Sequence, residues 1–192
     1  MTEYVRNIMN TVDKRRIRKI CEKITKSEKI LKKRNADGIP IGGIADLAMW
    51  LYIFGYKEEA LTAVGFLGEK PCSEYFLKWN VLDGALCLKA RMLREQGRTE
   101  ESREIAAFVR ENRNFDFHGG VNFHTVTFLW NVTCDKYANA ALKNGDRVTA
   151  RYWRYQKLTF AIQFREVNSS EFSDEQLEEM IAELLENLKT ER

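Results

Sequence analysis

Only two prolines, Pro40 and Pro71, occur in a chain of 192 residues. Long stretches therefore lack the residue that most strongly breaks a helix, by removing a backbone donor and clashing with the preceding turn. No apolar run approaches the roughly 18 residues that a membrane span needs, so no membrane association is expected. The opening residues, MTEYVRNIMNTVDKRR, have no apolar stretch and do not read as a secretory signal. The cysteines Cys21, Cys72, Cys87 and Cys134 make no CxxC pair or other metal spacing. They read as reduced thiols packed as small apolar groups, which points to the cytoplasm. A phosphate-cradling glycine loop, HExxH, a nucleophile elbow and a dinucleotide fingerprint are all missing. These absences argue against an enzyme, and neither a cofactor nor a resident metal is expected.

What is present is globular: 44% of residues are hydrophobic and 31% charged, and the length fits a single domain over 1–192. The net charge of +3 is unevenly placed. Residues 1–35 hold twelve Lys/Arg against four Asp/Glu, and residues 166–192 hold nine Asp/Glu against two Lys/Arg. The two ends carry opposite charge.

The patterning predicts an all-α protein of about eight helices. At the C-terminus, Ser173 and Gln176 have the spacing of a capping box, with Phe172 and Leu177 placed for a hydrophobic staple. Asp174 and Glu175 follow, where the helix dipole favours negative charge. Leu177, Met180, Ile181, Leu184, Leu185 and Leu188 recur at three- and four-residue steps, so residues 172–190 read as an acidic amphipathic capping helix. At the N-terminus, Val5, Ile8, Val12, Ile17, Ile20, Ile24 and Leu31 mark a long basic helix within 1–35.

Between them, over 43–166, six helical segments pair into three antiparallel hairpins: 43–54 with 57–67, 73–96 with 99–112, and 122–143 with 147–165. Gly55, Gly97 and Gly145 fall at the joints, where a left-handed residue ends one helix before the next begins. Five positions after each glycine stands a small residue, Ala60, Ser102 or Ala150, where two helices would cross closely.

The stretch Leu47 to Leu61, a helix ending Leu-Tyr-Ile-Phe-Gly followed by Tyr-Lys-Glu-Glu-Ala-Leu, resembles a tetratricopeptide repeat. The likeness extends over about residues 45–165. The glycines stand 42 and 48 residues apart, longer and less equal than the family's repeat of about 34 residues, and its closing proline is missing. The resemblance implies stacked helical hairpins with a concave face for a protein or peptide, and no catalytic residues.

Two segments carry candidate sites. Arg151, Tyr152, Trp153, Arg154 and Tyr155 gather the residue types enriched in interface hot spots. A single core stripe cannot hold them all, so some should face a partner. The second is the stretch Phe115 to His124, which contains both histidines of the chain, His118 and His124, together with Asp116. A His/His/Asp set can bind a metal, and His118 can act as a general base; the competing reading is a structural connection between hairpins. Trp50, Tyr52, Phe54, Tyr75, Phe76 and Trp79 are expected in the core.

The reading that fits best is a non-enzymatic, cytoplasmic protein-binding module, monomeric or homodimeric. Its partner would be another protein or peptide, and by analogy of size and fold a toxin, as for a bacterial immunity protein. A sequence pI of 8.6 suits an acidic or neutral partner surface. Three other classes stay open: a nucleic-acid-binding regulator using the basic residues 14–34, a metal- or His-dependent enzyme using Asp116, His118 and His124, and a simple scaffold that dimerises through its end helices.

Overall fold

The structure, a computed structural model, describes residues 41–65, 67, 76–112, 123–167 and 172–190. Among them are seven α-helices: α1 (Ile41–Ile53), α2 (Lys57–Gly65), α3 (Phe76–Glu95), α4 (Thr99–Asn112), α5 (Phe123–Lys143), α6 (Arg147–Val167) and α7 (Asp174–Thr190). The described residues contain no strand. The all-α expectation holds for them, and the expected basic helix of residues 1–35 lies outside them. None of these helices is long and apolar enough to cross a membrane.

Gly55, Gly97 and Gly145 all have positive φ, at 85°, 80° and 73°. The three joints are built alike. The glycine N–H donates to the carbonyl three residues back, on Tyr52, Arg94 and Leu142 at 2.9, 3.0 and 3.0 Å. The next N–H, on Tyr56, Arg98 and Asp146, reaches five residues back to Leu51, Leu93 and Ala141 at 2.8, 2.9 and 2.9 Å. Carbonyls that a helix end leaves without partners are thereby satisfied. The carbonyls of Tyr56, Arg98 and Asp146 then accept the first hydrogen bond of the following helix, from Ala60, Ser102 and Ala150. One residue thus closes a helix with its N–H and opens the next with its C=O. Ala60, Ser102 and Ala150 are buried, at 0%, 5% and 0% exposure, and a larger side chain there would overpack the crossing.

The chain divides into two compact units, Met1–Met92 and Leu93–Arg192. In the first, α1 packs on α2. From Leu47 to Ile53 every residue of α1 is buried, so this helix has no solvent stripe. Trp50 and Tyr52 are in the core as expected, and Phe54 stacks on Trp50 with ring centroids 6.0 Å apart. Tyr75 and the side chains of Phe76 and Trp79 lie outside the described residues. Asp83, Cys87 and Arg91 are buried along α3. Arg91 Nε donates to the Tyr52 hydroxyl at 2.6 Å, and the Cys87 thiol to Asp83 Oδ1 at 3.4 Å. Buried polar groups of this kind are retained only when hydrogen-bonded, because the uncompensated cost is several kcal/mol.

In the second unit α6 is the central helix, packed on α5, α7 and α4. The start of α7 is fixed by reciprocal bonds: the Ser173 N–H donates to Gln176 Oε1 at 2.9 Å, and the Gln176 N–H to Ser173 Oγ at 3.3 Å. Leu177, Ile181, Leu184 and Leu188 form its buried stripe, while Met180 and Leu185 lie at the stripe's edges, half-buried. An ion cluster ties α6 and α7 to the Gly97 joint. Arg94 grips Glu166 with both Nε and Nη2, at 3.1 and 2.7 Å, and Nη2 also reaches Glu178 at 2.8 Å. Arg165 lies 3.2 Å from Asp174 and 2.9 Å from Glu178. The Glu166 side chain is only 3% exposed. Its hydrogen bond holds the Arg94 guanidinium above its usual value, against the opposing effect of burial.

Gly97 sits three residues from Arg94, which is held at the C-terminal end of α6, whereas Gly145 precedes the N-terminal end of that helix. Twenty-one residues of helix separate those ends by about 30 Å.

Two stability predictions follow from these contacts. Because an added Cβ at Gly97 meets nothing within 4 Å, Gly97→Ala should cost about 1 kcal/mol through backbone strain alone, and Gly97→Asn less. Urea midpoints of the two variants check the order. Arg94→Ala, which leaves the Glu166 carboxylate buried without its fork, should cost about 3 kcal/mol, and Arg94→Lys should recover only part of it. Equal midpoints for Arg94→Ala and wild type would contradict that role.

Candidate functional site

The α5–α6 hairpin turns on Gly145, and its register places residues equidistant from that glycine side by side. Tyr137 stands eight residues before it and Trp153 eight after, and their rings stack with centroids 4.9 Å apart and planes inclined by 22°. Tyr152 meets the Trp153 edge at 5.4 Å and 72°, within the geometry that aromatic pairs prefer. Lys157 Nζ donates to Asp135 Oδ2 at 2.6 Å. On α5, Asp135 and Tyr137 are two residues apart and so lie some 200° around the helix axis from each other. On α6 their partners Trp153 and Lys157 are four residues apart and share one side, so the ion pair and the ring stack are two separate ties between the same pair of helices.

The rings are not buried. Tyr137 is 49% exposed and Tyr152 43%, and one turn before Tyr152 stands Val148 at 64%. Isolated apolar side chains on a surface are ordinary, but adjoining aromatics held by a rigid scaffold are what interfaces are built from.

Of the five residues expected to contact a partner, the structure divides the set. Tyr152 is exposed, Trp153 and Arg154 are half-buried, and Arg151 and Tyr155 are each only 8% exposed. The Arg151 Nη2 donates to the Leu188 carbonyl at 2.8 Å, and burial pulls its guanidinium below the usual value. The burial of Arg151 and Tyr155 has a simple cause. Arg151, Tyr155, Leu158 and Ile162 follow one another at helical spacing and are all buried, on a helix that packs against α7 as well as α5. Arg151 also places a cation at the end of α7, where the dipole favours it.

Asp116 and His118 lie outside the described residues, as does the side chain of His124, whose backbone belongs to the first turn of α5. Among the described residues no group of three or more His, Cys, Asp or Glu is placed to hold a metal ion. Cys87 and Cys134 are free thiols in the core, and burial pushes Cys134 up to about 12, so it carries no thiolate at neutral pH. Tyr137 and Val148 were not anticipated from sequence. Tyr137 was findable, because once Gly145 is accepted as the joint, counting eight residues each way pairs it with Trp153.

Asp146 supports the hairpin at its tip. Its carboxylate accepts the Thr149 N–H at 3.0 Å, and hydrogen bonding to Thr149 holds its pKa below the usual carboxylate value. A carboxyl lowered in this way stabilises the fold above its ordinary pKa, and the contribution is lost as pH falls through the folded-state value. Asp146→Asn, which keeps a capping side chain without the charge, should flatten the acid limb of the stability profile below about pH 4. Asp146→Ala should lower stability at neutral pH as well. Thermal melts between neutral and acid pH check both, and an unchanged acid limb in Asp146→Asn would refute the assignment.

No curated protein and no solved structure matches the chain. One family does, over residues 2–190, and its function is unknown. By that match over nearly its whole length, the chain belongs to the family of unknown function DUF6707.

Proposed function

We propose that this protein is a non-enzymatic protein-binding module whose contact surface is centred on Tyr137, Trp153 and Tyr152. The observation that carries the reading is the exposed ring stack on the α5–α6 hairpin. Rigid aromatic side chains give a large contact area at low entropic cost, because their rotamers are already fixed before binding. Here the Gly145 joint and the Lys157–Asp135 pair supply that rigidity. The narrower role, neutralising a toxin in a bacterial cytoplasm, rests on size, the helical fold and the lack of a catalytic motif in the sequence. The nucleic-acid and metal alternatives rest on residues 14–34 and on Asp116, His118 and His124, none of whose side chains is described.

The test is capture from native lysate with tagged wild type and with a Tyr137→Ala/Tyr152→Ala double variant. Both side chains are about half exposed, so helicity and melting should change little. The proposal expects partner recovery to fall about tenfold in the variant, equivalent to one hot-spot residue of some 1.4 kcal/mol. Equal recovery would remove the aromatic surface from the account.

A further inference from the structure

The side of the α5–α6 hairpin that carries the ring stack is uncharged. On α5, Tyr137, Ala140 and Asn144 stand three and four residues apart; on α6, Thr149, Trp153 and Gln156 stand four and three apart. Each set therefore lies along one side of its helix, within about 60° of arc. The contact of Tyr137 with Trp153 joins the two rows into one face, and Tyr152 adds a third ring at the α6 edge. Trp153 and Gln156 are half-buried and the other five are exposed. In a chain whose residues are 31% charged, so much open surface without a charge resembles the centre of an interface, where charged residues are depleted. Charge returns only at the margin and in both signs, with Lys136 and Lys143 on α5 and Asp146 at the tip, all exposed.

The face is also bounded. Seven residues beyond Gln156, on the same side of α6, Gln163 is buried, so the open stretch ends within the helix. Tyr137 and Tyr152, 49% and 43% exposed, each leave about half of the 150–250 Å² that an aromatic side chain can bury. The seven residues together offer roughly 400 Å², against about 800 Å² per partner in a standard interface. A contact of that size is weak and reversible.

We infer that this face pairs with the same face of a second copy of the chain about a two-fold axis. The inference names a partner for the protein-binding reading above and rests on it. A charged partner surface would lose its hydration here and meet no opposite charge, at a cost of several kcal/mol for each ion. The complement is therefore uncharged, and a two-fold axis supplies one, because it sets identical patches against each other. Since the margin carries both signs, the edges of two copies are not uniformly repelled. Nucleic acid fits less well, because a phosphate backbone finds no cation within the face.

Sedimentation equilibrium of the full chain, from about 5 to 500 μM, tests the pairing. Tyr152→Glu and Gln156→Glu each place a carboxylate within the face, and Ala182→Glu places one on the exposed side of α7 as a control. Circular dichroism checks folding, and two face variants keep the test decisive if one of them misfolds. The inference expects the wild-type mass to rise towards that of a dimer, with a Kd on the order of 100 μM. Either face variant should raise that Kd at least about tenfold, while Ala182→Glu leaves it unchanged. A wild type that stays monomeric throughout overturns the inference. A dimer indifferent to the face variants, or weakened equally by all three, overturns it as well. If the wild type is monomeric but its capture of another protein still depends on Tyr137 and Tyr152, the second copy is refuted and the protein-binding surface stands.

Discussion

Everything described here hangs on a backbone conformation that L-residues with a side chain adopt only at a cost. A left-handed residue lets a helix end within one step, because it turns the following N–H back onto a carbonyl that would otherwise be orphaned. At Gly55, Gly97 and Gly145 the next helix starts immediately, capped by the same residue that closed the one before. With so short a joint the two helices have little freedom in where they meet. The register of α5 on α6, and with it the meeting of Tyr137 and Trp153, follows from the position of Gly145.

The second unit is held by charge as well as by apolar burial. Arg94, Glu166, Glu178, Arg165 and Asp174 form one connected set joining the end of α3 to α6 and α7. Buried ion pairs contribute little net stability when compared with apolar groups of the same shape, yet removing one partner is expensive. Their consequence here is geometric. Arg94 has a planar fork that satisfies both oxygens of Glu166 only in one orientation. It therefore fixes where the Gly97 joint sits along α6.

How much of this was legible in the sequence depends on whether the signal is local. The joints were readable because glycine is the residue that tolerates positive φ, and because a small residue recurs five positions later. The start of α7 was readable from Ser173 and Gln176, whose side chains reach only three residues. The Arg94–Glu166 contact spans 72 residues and leaves no local trace. Which residues of α6 are covered was not legible for a related reason. Aromatic, aliphatic and basic residues surround that helix, and its packing on neighbouring helices decides that Arg151 and Tyr155 are covered while Tyr152 is not.

The Gly145 joint presents its aromatic surface only if it brings two helices into one fixed register. Proton NMR of the wild-type chain tests it through the rings of Tyr137 and Trp153. With centroids 4.9 Å apart, the two rings should give direct ring-to-ring nuclear Overhauser effects, and Tyr152 should give them to Trp153. If Tyr137 and Trp153 show no such effect in the folded protein, the register is different, the surface does not exist as described, and the proposed function loses its support.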